Sequence, residues 1–154
     1  MHSHLHHRRP PQTRDEFVQY HDIRRRVLWE ARRHSSAYDE HHPDEYAPDH
    51  FPLLLLHRAS VVGVVRVDVS GRTAILRRVA IRDDLHRRGH GRARLALIAA
   101  FASAKACDRL YSFVAPDAVG FYLKCGFTRD PNGVSDAQYV PMQKSLTGVE
   151  REPG

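Results

Sequence analysis

His86-Arg87-Arg88-Gly89-His90-Gly91-Arg92 stands where the hydrophobic period of the chain changes, and its flanks decide the fold. Before it, Thr73 to Ile81 reads as a strand. From Gly91 to Ala106, Leu95, Leu97, Ile98 and Phe101 recur among alanines, which is the pattern of a helix with a wide buried face. Leu110 to Val114 returns to strand. Strand, helix and strand in this order form a βαβ unit, so the strands beginning at Thr73 and Leu110 are expected to be parallel, joined by a right-handed crossover. The glycines let the backbone approach a ligand closely and aim several amide N–H groups one way. The following helix N-terminus adds partial positive charge, so the turn suits phosphate. Read from the two glycines alone, a plain strand-to-helix turn on a basic surface fits equally well. No GxxxxGK[ST] is present, and Arg94 stands where a dinucleotide fingerprint needs its third glycine.

Working outward, 154 residues suit one domain of ordinary size. With 42% hydrophobic and 27% charged residues, wholesale disorder is excluded. Cys107 and Cys125 form no CxxC pair, so neither a disulfide framework nor a zinc site is expected, and a reducing cytoplasmic location follows. No stretch approaches the roughly 20 apolar residues of a membrane span. The net charge of +6 is segregated: Asp39, Glu40, Asp44, Glu45 and Asp49 fall in a stretch without Lys or Arg, whereas His86 to Arg94 holds four Arg and no acid. A basic nucleic-acid-binding domain is the rival reading, but interleaved aromatics, zinc-ligand spacing and a helix-turn-helix are all missing.

Along the rest of the chain, residues 1–13 read as a disordered basic, His-rich head. Asp15 is expected to cap a helix running to about Arg33. Residues 35–52, with three prolines and the carboxylates, read as a loop. Leu53 to His57, Val61 to Val69 and Thr73 to Ile81 form an antiparallel meander, with Val65, Val67 and Val69 on one face and Arg66 and Asp68 on the other. Pro116 opens a further helix that Gly126 closes. Phe127 to Arg129 and Tyr139 to Leu146 are terminal strands, Pro141 marking an edge or bulge. The fold class is α+β: a mixed, mostly antiparallel central sheet with one parallel splayed strand pair and helices on both faces. The domain is expected over residues 14–147, with a tail over 148–154.

Two motifs carry a family resemblance. The first is His86-Arg87-Arg88-Gly89-His90-Gly91 after the strand Leu76-Arg77-Arg78-Val79-Ala80-Ile81. The second is Ala115, Ala118, Phe121, Tyr122, Lys124, Gly126 and Phe127, set one helix and one strand later. Together they resemble the Q/R-x-x-G-x-G/A and N-x-x-A-x-x-F-Y-x-K-x-G-F signatures of the GCN5-related N-acetyltransferases. His86 stands where Gln or Arg is usual, and Ala115 where Asn is frequent. The resemblance implies acetyl-CoA as co-substrate and no metal. The backbone of Val79, Ala80 and Ile81 would hold the pantetheine arm, and Arg87, Arg88, Gly89, His90, Gly91 and Arg92 the pyrophosphate, with Ala115 and Phe121 beside the coenzyme. Tyr122 matches the phenol that protonates the leaving thiolate. The acceptor implied is a small-molecule primary amine, attacking directly in a ternary complex. Glu45, Asp49 and His50 are the acceptor-side residues, and His41, His42, Glu45, Asp49 and His50 are all open as general base. Cys125 is not needed as a nucleophile. A homodimer would fit the size, and a coenzyme-binding domain without turnover is a further alternative.

Overall fold

A computed structural model of the chain describes residues 6–26, 47–81, 91–135 and 138–146. The elements are β1 (His6–Arg9), α1 (Arg14–Arg24), β2 (His50–His57), β3 (Ser60–Ser70), β4 (Thr73–Ile81), α2 (Gly91–Ala104), β5 (Arg109–Val114), α3 (Val119–Lys124), β6 (Thr128–Arg129) and β7 (Val140–Ser145), with a 3₁₀ turn over Pro116–Ala118 before α3. They build a seven-stranded sheet in the order β1-β2-β3-β4-β5-β7-β6. The β2-β3-β4 meander is antiparallel, and only β4 and β5 pair in parallel, as the βαβ pattern requires.

Strand alternation divides the apolar residues between two cores. Leu53, Leu55, Val65, Val67, Ala74, Leu76, Leu110 and Met142 face α2 and α3, where Leu95, Ile98, Phe101 and Ala102 cover them. On the opposite face Leu54, Leu56, Val61 and Val64 pack against Tyr20 and Ile23 of α1. Burial on both faces explains the near-continuous apolar runs of β2 and β3. Arg66 and Asp68 project to the α1 face as the alternation predicts, yet they too are buried, at 8% and 6% exposure.

The structure departs from the sequence reading at several points. Within the expected disordered head, His6–Arg9 forms β1, an edge strand antiparallel to β2. Strand pairing there is reinforced by Arg8 Nε, which donates to the Leu97 carbonyl of α2 at 3.2 Å. Thr13 rather than Asp15 caps α1: its hydroxyl accepts the Glu16 N–H at 3.1 Å. The continuation of that helix toward Arg33 lies outside the described residues. Pro141 sits in an interior strand, but its carbonyl accepts from Asp130 N–H beyond the end of β6. In an antiparallel ladder its missing N–H points the same way, so no β5 bond is lost.

α2 ends with Ala106 in the left-handed region, φ +63°. Cys107 N–H returns to the Ala102 carbonyl and Ala106 N–H to that of Ser103, a Schellman closure normally given to glycine. Ala106→Gly should therefore stabilise the fold by about 1 kcal/mol, read as a raised urea midpoint at constant m. β1 is tied to α1 by a forked ion pair, Arg9 Nη1 to Glu16 Oε1 at 2.7 Å and Nη2 to Oε2. Hydrogen bonds from Arg9, first, and from the Gln12 N–H hold the Glu16 carboxyl down at about 2. Since this folded value lies below the ordinary 4.5, the contribution is complete above pH 4.5 and disappears as pH falls toward 2. The protection factors of the β1 amides, taken relative to intrinsic exchange at each pH, should fall as pH is lowered through that window in the native protein, and Glu16→Gln should remove that fall.

Candidate functional site

The site begins where the parallel pair comes apart. Thr73, Ala74, Ile75 and Leu76 pair with Arg109, Leu110, Tyr111 and Ser112, and the ladder stops there. Beyond it β4 follows β3, with Arg66 opposite Arg77, Val64 opposite Ala80 and Gly63 opposite Ile81, across an irregular register between Val64 and Arg66. β5 follows β7 instead, to Val114 opposite Val140. Each strand is thus drawn to its outer neighbour, and a cleft opens in mid-sheet between two backbone edges. An extended ligand can bond to such an edge as an added strand would. Val79 to Ile81 form that part of β4, and the Val79 side chain packs against the α2-face core.

On this face α2 points its N-terminus toward the cleft end of β4. Its first turn contains no acid. Arg94, in that turn, is 2% exposed, and its Nε and Nη2 have no hydrogen-bond partner among the described residues. Burial pushes its pKa down. Helical side chains lean toward the N-terminus, so this guanidinium is directed toward the start of α2. An orphaned buried cation and an acid-free helix start both fit an anion. Sequence reasoning counted Arg94 only as part of a basic run; its place on the buried face, one residue before Leu95, was the available signal.

α3 closes over the same place. A Cβ on Gly91 would lie 2.6 Å from Phe121 Cζ, so glycine here lets Phe121 rest on the first turn of α2. Arg92 Nη2 donates to the Lys124 carbonyl at 3.2 Å and ties the two helices together. Tyr122 is held by the helix end: Phe127 N–H bonds to its carbonyl and Gly126 N–H to that of Leu123, with Gly126 at φ +94°. The Tyr122 ring makes edge-type contacts with the Phe127 ring at 5.1 Å and the Phe121 ring at 5.9 Å between centroids. Tyr122 is thereby half-buried and oriented. Ala115 is buried at the end of β5, its carbonyl accepting from Ala118 N–H. Arg87, Arg88, Gly89 and His90 lie outside the described residues.

The α1 face of the cleft is charged. Asp68 receives Arg66 through Nε at 2.8 Å and Nη2 at 2.9 Å, and Arg77 through Nε at 3.1 Å. His50 Nε2 stands 3.4 Å from the same carboxylate. Arg24 of α1 donates to the Arg77 carbonyl at 2.9 Å. Next to them Tyr111 donates to Asp130 at 2.5 Å. Burial first, then that bond, raise the phenol to about 12. His50 thus belongs to the Asp68 cluster, whereas Asp49 exposes its side chain and uses its carbonyl to accept Val69 N–H at 2.9 Å. Glu45, His41 and His42 lie outside the described residues. The Asp68 cluster was missed in the sequence because strand alternation alone does not show that polar residues on a covered face are buried.

No helix among the described residues is long and apolar enough to cross a membrane. Cys107 and Cys125 are buried free thiols whose pKa values are raised, chiefly by that burial.

Among curated proteins none matches the chain. Solved structures do. Escherichia coli ElaA superposes with a TM-score of 0.74 at 14% identity, over 90% of this chain and 97% of that one. The ribosomal-protein-S18-alanine N-acetyltransferase of E. coli gives 0.70 at 15% identity, over 94% and 96%. PaiA N-acetyltransferase of Thermoplasma acidophilum, in complex with coenzyme A, gives 0.68 at 16% identity, over 91% and 98%. At these identities the likeness is one of fold. The sequence itself matches the Acetyltransferase (GNAT) family over residues 14–127, which span both motifs, the split strand pair and the helix that follows it. The chain belongs to the GNAT family of acetyltransferases.

Proposed function

We propose that this protein moves an acetyl group from acetyl-CoA to a primary amine of a small molecule, by direct attack in a ternary complex. The observation that carries the reading is the split beyond Leu76 and Ser112, with the acid-free start of α2 on one face and α1 on the other. The coenzyme supplies the activated acyl carbonyl and the thiolate leaving group. The chain's own residues do the rest. Backbone groups of Val79, Ala80 and Ile81 bind the pantetheine arm as an added strand would. Amides from Arg87 to Arg92, with Arg94 behind them, hold the pyrophosphate. Phe121 and Ala115 flank the arm. An amide near Ile81 stabilises the charge that develops on the carbonyl oxygen. As the new N–C bond forms and the C–S bond breaks, Tyr122 donates its proton to the departing sulfur. A phenol suits that task, being protonated at neutral pH and held by its ring contacts with Phe121 and Phe127. On the other face Glu45, Asp49 and His50 serve the entering amine, which must lose a proton before it attacks.

Calorimetric titration with acetyl-CoA, at low and moderate salt, tests the binding half. Saturable micromolar binding should survive moderate salt and fall at least tenfold when Gly89 and Gly91 are replaced by valine. Binding that vanishes with salt, as for any polyanion on a basic surface, would overturn the reading. For the chemical half, Tyr122→Phe should lower kcat roughly 100-fold while acetyl-CoA affinity stays within about twofold. An unchanged kcat would remove Tyr122 from the mechanism.

A further inference from the structure

Arg77 and Phe113 are the first residues beyond the last ladder pair, Leu76 with Ser112, on the face that carries α1. They therefore stand on the two lips of the cleft, opposite the face of α2 and Tyr122. The Arg77 guanidinium lies 5.7 Å over the Phe113 ring, so the two lips touch through a cation–π contact. Asp68 fixes its direction. That carboxylate is 8% exposed in its side chain and binds Arg77 through Nε alone, at 3.1 Å. The Arg77 side chain is 44% exposed against 9% for Arg66, so Arg77 is the member of the cluster that reaches solvent. Its two terminal amino groups make no hydrogen bond among the described residues. A planar pair of N–H donors, preset by a buried carboxylate, matches the two oxygens of one carboxylate.

We infer that Arg77 selects the acceptor: the amine acetylated here also carries a carboxylate, as an α-amino acid does, and Arg77 binds it. This rests on the transferase reading above and names the acceptor class for that site. A carboxylate bound at the lip of the split sets an amino group one or two carbons away beside the opening, where the acyl carbonyl is presented. Phe113, 39% exposed, offers the acceptor's carbon skeleton an apolar surface on the opposite lip. Arg77 lies on the α1 face and Tyr122 on the α2 face, so the guanidinium acts on acceptor binding rather than on the leaving group. The Asp68 cluster on this face includes Arg66, Arg77 and His50, with Arg24 at the Arg77 carbonyl and Tyr111 closed by Asp130.

The test uses the full chain with saturating acetyl-CoA, following thiol release with amino acids and with the amines left by their decarboxylation: phenylalanine against phenethylamine, ornithine against putrescine, methionine against its amine. Amino acids should be turned over with kcat/KM at least tenfold higher than their partners. Arg77→Met should raise KM for the amino acid roughly 10- to 100-fold with little change in kcat, and leave KM for the decarboxylated amine within about threefold. Arg77→Lys, which keeps the charge but not the fork, should recover part of the loss. Should Arg77→Met fail to fold, the comparison on the unaltered protein still decides. Equal or better turnover of the decarboxylated amines overturns the inference, as does an Arg77→Met effect equal for both classes. In either case acetyl-CoA binding and turnover leave the transferase reading standing; absence of acetyl-CoA binding would bring both down.

Discussion

Everything functional in this fold depends on a ladder that stops. β4 and β5 share four parallel pairs and then part, although both strands continue. Backbone N–H and C=O groups left without partners inside a sheet are costly, each about 1–3 kcal/mol when buried, so such an opening must be held by something stronger. The holding is visible on both sides. β4 remains bonded to β3 through Ile81 and is gripped at the Arg77 carbonyl by Arg24 of α1. β5 remains bonded to β7 along its whole length, through Val114 opposite Val140. Two antiparallel half-sheets, each complete on its outer edge, are joined only at the base. The gap between them is what the two cores leave when each follows its own partner.

The two faces of the gap are built on opposite electrostatic plans. On the α1 face a buried carboxylate, Asp68, is satisfied by the protein itself through Arg66 and Arg77. Of the two guanidiniums, Arg66 is buried with the carboxylate and Arg77 extends toward solvent. On the α2 face a buried guanidinium, Arg94, has two nitrogens without a hydrogen-bond partner among the described residues. One face satisfies its buried charge from within the protein; the other leaves a buried cation without a counter-charge among those residues.

Much of this was legible in the sequence, and the parts that were not share a cause. The βαβ unit, the meander and the helix that Gly126 closes follow from local periodicity and turn chemistry, which Thr73–Ile81, Gly91 and Gly126 display openly. The paired motifs, and Tyr122 within the second, were legible only through the family resemblance. What remained hidden depends on contacts distant in sequence. His6–Arg9 is a strand because β2 offers an edge and Arg9 finds Glu16, neither of which a His-rich head announces. Thr13 is the cap because α1 begins at Arg14, which places Asp15 inside the first turn. Asp68 and Arg66 read as the polar side of a half-exposed strand, and become a buried cluster only when α1 and β4 cover them. Arg94 read as one more charge in a basic run until helical phase placed it inward.

The orphaned Arg94 bears on why the two faces differ. A buried charge without a partner costs several kcal/mol, a large share of the roughly 5–15 kcal/mol that holds a domain of this size together. Replacing it with a leucine would extend the stripe of Leu95 and Ile98 and give a more stable helix. The sequence instead keeps a cation there, in the first turn of α2, which lacks any acid. Local rules broken without a compensating contact within the fold tend to mark the place where a ligand completes it. An anion bound at Arg94 would recover the free energy lost in burying it, and would couple ligand binding to stability through the same residue. On the α1 face the guanidiniums of Arg66 and Arg77 both have a hydrogen-bond partner in Asp68. The polar groups of that face are bonded within the protein, whereas the α2 face holds a buried cation that an anion would complete.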